Sequence, residues 1–92
     1  MDPQLIPLPV PDIIWRILDG EVVLVSPRAG KVRVLNEVGS ALWQLLDGKR
    51  TVGEMQAYLV RHYDVMPAQA AADLDTFLQD LAARGLIQLT SH

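Results

Sequence analysis

The side chains that could do chemistry in this chain are few and lie far apart in the sequence. There is no cysteine, which excludes thiolate nucleophiles, disulfides and cysteine metal sites. The two histidines, His62 and His92, have no further histidine or cysteine at the spacing that metal sites use. We therefore interpret His62 as a solvated surface residue and His92 as part of a frayed C-terminus.

Hydroxyl, carboxyl and glycine residues offer no better catalytic set. Ser40 has no base beside it, and we interpret it as a helix-start residue. Asp73 and Asp80 are seven positions apart, so they face the same way on a helix. Acids in that arrangement more often solvate an exposed face than share a proton. The glycines form neither a GxGxxG nor a GxxxxGK phosphate-binding pattern. The sequence predicts no enzyme activity, no cofactor and no metal.

Composition limits the partners and the compartment. The chain has 92 residues, half of them hydrophobic, which suits one small globular domain. Its net charge of -3 gives no broad attraction to nucleic acid or to anionic lipid. The N-terminal MDPQLIPLPVPD lacks the basic start of a signal peptide, and no apolar run approaches the roughly 18 residues of a membrane span. We expect a cytoplasmic protein without nucleic-acid or membrane partners.

The first half of the chain predicts strands. Four prolines within residues 1–11 indicate an extended arm, followed by a folded domain over residues 12–90. Residues 13–18 and 21–26 are rich in β-branched residues and flank Asp19-Gly20, which favours a type I′ hairpin. After a turn at Pro27 and Gly30, residues 31–35 (KVRVL) predict a third antiparallel strand.

The second half predicts three helices. Asn36 is a good N-cap for the first, which should end at Gly48, and Thr51 with Glu54 matches the capping box of the second. Pro67 suits the first turn of the third, with Gly85 as its stop. The expected buried stripes are Val38, Ala41, Leu42, Leu45 and Leu46; then Val52, Met55, Leu59 and Tyr63; then Ala70, Leu74, Phe77, Leu78 and Leu81. Residues 86–89 (LIQL) favour a short closing strand.

The predicted fold is α+β: a three-stranded antiparallel sheet followed by three helices, in a winged-helix-turn-helix-like arrangement. Two features remain open at this level. Trp43 lies off the stripe of the first helix, so it either closes a second side of the core, which we favour, or faces a partner. The cluster Arg28, Lys31 and Arg33 either protects a sheet edge from aggregation or contacts a ligand.

Several linked motifs resemble the PqqD-like family. They are VVLVSPRAGKVRVLNEVGSALWQLLDGKRTVGEM and DVMPAQAAADLDTFLQDLAARGLI. Shared features are a strand ending in LN, a helix ending in LDG, RTVxE followed by Ile or Met, and a last segment of the form FLxxLxxxGLI. The resemblance covers residues 14–87. Met55 and Leu74 stand where isoleucine and valine are common, and both exchanges are volume-tolerant. The proline-rich arm matches nothing in the family.

The resemblance implies a non-catalytic peptide chaperone. Such domains, also called RiPP recognition elements, bind the leader segment of a ribosomally synthesised precursor peptide. They deliver it to a modifying enzyme, such as the radical S-adenosylmethionine enzyme of pyrroloquinoline quinone biosynthesis or the leader peptidase and cyclase of lasso-peptide biosynthesis. A winged-helix nucleic-acid-binding domain or a purely structural interaction domain is the alternative. The acids Asp73, Asp75 and Asp80 argue against a DNA-recognition helix.

The resemblance also implies where the leader binds. It adds as an extra strand beside the third strand, whose open edge offers main-chain donors and acceptors. Lys31 and Arg33 are expected to pair with acids in a leader. The predicted peptide-binding residues are Lys31, Val32, Arg33, Val34 and Leu35 on the strand, and Leu74, Phe77, Leu78 and Leu81 on the third helix.

Overall fold

The computed structural model describes residues 1–28 and 30–90, so the expectation for His92 lies outside the described residues. The described residues form five strands and three helices. In chain order they are β1 (Ile6–Pro9), β2 (Ile14–Leu18), β3 (Glu21–Ser26), β4 (Lys31–Val34), α1 (Glu37–Trp43), α2 (Val52–His62), α3 (Pro67–Ala83) and β5 (Ile87–Thr90). Among these helices none is long and apolar enough to span a bilayer.

The predicted three-stranded meander is present, with the antiparallel order β2-β3-β4. Its first turn has positive φ angles at Asp19 (52°) and Gly20 (80°), as a type I′ hairpin requires. Val22 and Leu24 of β3 point toward the helices and are 0% and 1% exposed. The sheet therefore has one face packed on the core, and β2 and β4 are its two edges.

The N-terminal segment belongs to the folded unit, which corrects the expectation that the fold begins near Asp12. Its extended backbone was expected, but β1 also pairs antiparallel with β5, and Pro7 is buried. The carbonyl oxygen of Leu5 accepts a hydrogen bond from the Val52 amide at 2.8 Å, at the start of α2. Prolines remove donors but leave carbonyl acceptors, so a proline-rich strand can still pair at an edge.

The helix starts follow the predicted signals. The Asn36 side chain accepts a hydrogen bond from the Gly39 amide at 2.7 Å, and Thr51 with Glu54 forms a complete capping box. The end of α1 does not follow them, because the helix stops at Trp43 rather than near Gly48. Residues 44–46 continue as tighter turns. The predicted stripe assumed one uninterrupted helix and is wrong in part.

The buried face of α1 consists of Gly39, Ser40, Leu42 and Trp43, whereas Val38 is 38% exposed. Trp43 is 1% exposed, so it belongs to the core and is not a partner surface. Its ring lies edge-on to that of Trp15, with centroids 6.4 Å apart. The core also contains Met55, Leu59 and the inner side of α3.

Ser40 has a structural role that its sequence position does not reveal. Its Oγ accepts a hydrogen bond from the Val22 amide at 2.8 Å and donates one to the Leu35 carbonyl at 3.1 Å. The hydroxyl thus bridges β3 and the residue after β4, where a direct main-chain bond would otherwise continue the ladder. Since Ser40 is 2% exposed, it is a buried connector between the sheet and α1 rather than a simple helix-start residue.

Candidate functional site

The open edge of β4 is the first component of the site. Among residues 1–28 and 30–90, β4 pairs only with β3, in the register Val23 with Val34 and Val25 with Val32. Just beyond the strand, the Leu35 amide donates to the Val22 carbonyl at 2.9 Å. Because hydrogen-bonded and non-hydrogen-bonded pairs alternate in an antiparallel ladder, the amides of Val32 and Val34 point away from β3. The main-chain N–H and C=O groups of these two valines are therefore available to hydrogen-bond an added strand.

The side chains of β4 alternate between the two faces of the sheet. Val32 and Val34 are 66% and 57% exposed on the open face of the sheet. Arg33 points to the opposite face, where its guanidinium Nη2 forms an ion pair with Asp80 Oδ2 of α3. Leu35 is buried beyond the end of the strand, so it contributes to the core and not to an exposed edge.

The predicted helix wall needs a correction. Leu74, Leu78 and Leu81 are at most 1% exposed and belong to the core, so they present no surface to a ligand in this structure. Of the four predicted residues on α3, only Phe77 is partly exposed. Helical spacing identified the inward face of α3 but not the extent to which the sheet and the other helices cover it.

Two hollows lie in this region: residues of β4 line the first, and the segment just after β4 lines the second together with the helices. The first, here called the basic hollow, has a volume of about 420 Å³, and its lining includes Lys31, Arg33, Ala83, Arg84 and Leu86. The second, the apolar hollow, has a volume of about 340 Å³, and its lining includes Asn36, Val38, Tyr63, Asp73 and Phe77. The basic hollow therefore borders β4 itself, whereas the apolar hollow meets the chain after β4 at Asn36.

Asp80 organises the charges of the basic hollow. Its Oδ1 accepts a hydrogen bond from Arg84 Nε at 3.0 Å, while Oδ2 pairs with Arg33. The hydrogen bond from Arg84, together with the nearby charge of Arg33, holds the pKa of Asp80 below its usual value. Lys31, Arg33 and Arg84 supply three positive charges against the one carboxylate of Asp80, which leaves a local excess of two. The hollow is electropositive although the whole chain is acidic.

The apolar hollow depends on a close approach between α1 and α3. A Cβ atom at Gly39 would lie 3.2 Å from Cε1 of Phe77, closer than most side chains pack. Gly39 therefore allows the Phe77 ring to lie against α1. Burial raises the pKa of the Tyr63 hydroxyl, so this lining residue stays neutral across the physiological range.

Sequence reasoning missed part of this lining. The sequence alone did not place Arg84 at the site, Asp80 was interpreted as part of a solvated face, and Val38 and Tyr63 were assigned to core stripes. The signal for Arg84 was its place one turn after Asp80 on the helix, a spacing that favours ion pairs. His62 is exposed and stacks on Tyr58 with ring centroids 4.2 Å apart. Within residues 1–28 and 30–90, no group of three or more metal-ligating side chains is found.

Several known proteins are similar to this chain in sequence or in fold. The chain is 27% identical over 70 residues to the PqqA binding protein of Rhizobium meliloti (strain 1021), an alignment that spans 76% of this chain and 69% of the relative. A solved structure of TbiB1 in complex with the TbiA(beta) leader peptide has a TM-score of 0.83 and 28% identity. The match covers 88% of this chain and 94% of that one.

A second solved structure is similar over almost the whole chain. The solution NMR structure of the PqqD truncation of Methylobacterium extorquens PqqCD, a stand-alone RiPP recognition element, has a TM-score of 0.74 and 25% identity. The match covers 96% of this chain and 99% of that one. The sequence profile of coenzyme PQQ synthesis protein D (PqqD) matches residues 21–87, which run from β3 to the first residue of β5. The chain therefore belongs to the PqqD family.

Proposed function

We propose that this protein binds the leader segment of a ribosomally synthesised precursor peptide, which adds as a strand to the open edge of β4. The observation that carries the proposal is the open edge at Val32 and Val34, with the basic hollow against Lys31 and Arg33 and the apolar hollow just after the strand, at Asn36. Membership of the PqqD family supports it, as does the likeness to a structure that holds a leader peptide.

Strand addition fits the physical features of this edge. An incoming strand gains main-chain hydrogen bonds whatever its sequence, and pockets for alternate side chains supply the specificity. Here the main-chain groups of Val32 and Val34 would supply the first contribution. The basic hollow, lined by Lys31 and Arg33, and the apolar hollow, which begins at Asn36, would supply the second.

The proposed role is delivery without catalysis. The bound leader would be presented to a modifying enzyme, for which a radical S-adenosylmethionine enzyme or a leader peptidase and cyclase are the candidates. A ribosomally made precursor is synthesised in the cytoplasm, so we place the encounter there. The protein needs no cofactor for this role, because strand addition uses only main-chain and side-chain contacts.

The direct test begins with a search beside this gene for a short open reading frame that encodes a precursor. Its leader segment is then titrated into the isotopically labelled protein. We expect the amide resonances of Val32 and Val34 to shift most, with smaller shifts at Phe77 and Arg84. Saturable binding that shifts only residues distant from β4 and from both hollows, such as those at the start of α2, would contradict the proposed site. A leader that does not bind at all would contradict the proposed function.

A further inference from the structure

The two hollows beside β4 differ in chemistry, and that difference predicts what a bound strand must carry. The basic hollow holds a local excess of two positive charges, from Lys31, Arg33 and Arg84 against Asp80. The apolar hollow is lined mainly by aliphatic and aromatic side chains, with Phe77 as its partly exposed ring. A ligand that fills both needs two unlike side chains.

The spacing between these side chains follows from strand geometry. On an added strand, the residues that face the helices are every second one, and they lie opposite Lys31, Arg33 and Leu35. The Lys31 end borders the basic hollow, and the chain just after Leu35 borders the apolar hollow at Asn36. Positions opposite Lys31 and Leu35 are four residues apart, or about 13 Å at 3.3 Å per residue.

The middle position meets a different surface. It lies opposite Arg33, whose guanidinium is already paired with Asp80. Both oxygens of Asp80 are engaged, one by Arg33 and the other by Arg84. Lys31, which is exposed, therefore has the cation least compensated by Asp80. A small or polar residue suits the middle position, and an acid is best placed at the Lys31 end.

Resting on the proposed leader binding, we propose that this protein selects leaders by an acidic side chain in the basic hollow and an apolar or aromatic side chain in the apolar hollow, four residues apart. In the antiparallel orientation, which gives the slightly stronger main-chain pairing, the apolar residue precedes the acid. Read from the N-terminus, the recognised leader segment has five residues. The first is apolar, the third is small or polar, the fifth is acidic, and the second and fourth can be any residue.

The test is a display selection of random twelve-residue peptides against the immobilised full chain. We expect the enriched peptides to share an Asp or Glu four residues after an apolar residue. When these peptides bind, the amide resonances of the protein that shift most should be those of Val32 and Val34. Exchange of the acid for lysine in an enriched peptide should weaken binding about three- to tenfold, as expected for partly exposed ion pairs, and the loss should shrink at high salt.

Charge reversal on the protein gives the matched comparison. In the Lys31→Glu variant, the preference for an acidic residue at the peptide position opposite residue 31 should disappear or change to a preference for a basic residue. The control is Arg61→Glu, which makes the same change in net charge on an exposed residue of α2 and should leave the preference unchanged. A lysine-bearing peptide that binds Lys31→Glu more tightly than the acidic parent does would establish the contact.

The outcomes separate this inference from the proposed function. If enriched peptides bind at the β4 edge without the acidic and apolar pair, the inference is wrong and strand addition stands. If selected peptides bind but none perturbs Val32 or Val34, or if nothing is enriched, strand addition at this edge is wrong and the inference falls with it. If Arg61→Glu changes the preference as much as Lys31→Glu, the effect is net charge and the basic hollow has no role.

Discussion

Arg33 of β4 and Asp80 of α3 form an ion pair that joins the open strand to the helix beside it, and Arg84 holds the other carboxylate oxygen of Asp80 at 3.0 Å. The three charges lie where a strand added to β4 would pass. The cluster therefore connects the stability of the β4–α3 contact with the electrostatics of the proposed binding edge.

The Asp80 cluster predicts a pH dependence of stability. The pKa of Asp80 is lowered in the folded chain, first by the hydrogen bond from Arg84. When folding lowers the pKa of a carboxyl group, its ionised form stabilises the folded state. That stabilisation is complete above the pKa of the unfolded chain, about 3.9, and is lost as the pH falls through the pKa of the folded chain. Asp80→Asn should therefore lower the melting temperature at pH 7, and the difference from the parent should shrink as the pH falls through the lowered pKa of Asp80.

Asp73→Asn is the control, because it removes the same charge from the same helix. The Asp73 carboxylate accepts a hydrogen bond from Gln69 and is exposed. Melting curves at pH 7 should show a smaller loss of stability for this variant than for Asp80→Asn. Equal profiles for the two variants would mean that the Arg33 and Arg84 contacts contribute nothing to stability.

Ser40→Ala should destabilise the fold although Ser40 is not part of the binding edge. The change leaves the buried Val22 amide without its acceptor, which costs about 1–3 kcal/mol. For a chain of this size each kcal/mol corresponds to about 4–8 °C in melting temperature. Thr76→Ala is the control, since its hydroxyl bonds only to the preceding helical turn and is exposed. If the two variants melt within one degree of each other, the bridge between β3 and residue 35 has no energetic role.

Phe77→Ala should weaken leader binding by about 2 kcal/mol, a typical cost of truncating an aromatic anchor. Phe77 lines the apolar hollow and is only partly buried. Leu78→Ala is the matched control: Leu78 is 0% exposed, so its truncation should lower stability more than binding. Calorimetry at a temperature where both variants are folded separates the two effects. Full affinity in folded Phe77→Ala would remove the apolar hollow from the site.

Binding to duplex DNA should be weak and fully reversed by physiological salt. The exposed and partly exposed side of α3 carries Asp73 and Asp75, which repel phosphate. A mobility-shift titration at low and physiological salt checks this expectation. A shift that persists at physiological salt would favour the winged-helix nucleic-acid alternative over peptide binding.

Local signals predicted much of this fold. Asp19-Gly20, Asn36 and the Thr51–Glu54 capping box each act through neighbours in the sequence, so the hairpin and two helix starts could be placed from sequence alone. The resemblance to the PqqD-like family identified β4 as the edge of interest. These features share one property: each depends on a few adjacent residues or on a motif of fixed spacing.

Features that depend on distant parts of the chain were not predictable in the same way. The pairing of β1 with β5 joins the two ends of the described chain, and prolines within β1 obscured its strand character. The same holds for Ser40, whose partners lie in β3 and just after β4. Leu74, Leu78 and Leu81 were placed on the correct face of α3, but their complete burial depends on how closely the sheet packs there.

The most direct measurement of the central claim is leader affinity in a proline scan of β4. The structure assigns the outward amides to Val32 and Val34 and the inward amide to Arg33, so Val32→Pro and Val34→Pro each remove a donor that a leader would use. Each should keep the fold and weaken binding by about 1–3 kcal/mol, or roughly ten- to hundredfold, while Arg33→Pro should lose the fold. Val32→Ala and Val34→Ala control for the lost side chains, and alanine at Lys31 should cost little and depend on salt. Folded Val32→Pro and Val34→Pro proteins that bind the leader as tightly as the parent would contradict strand addition at β4.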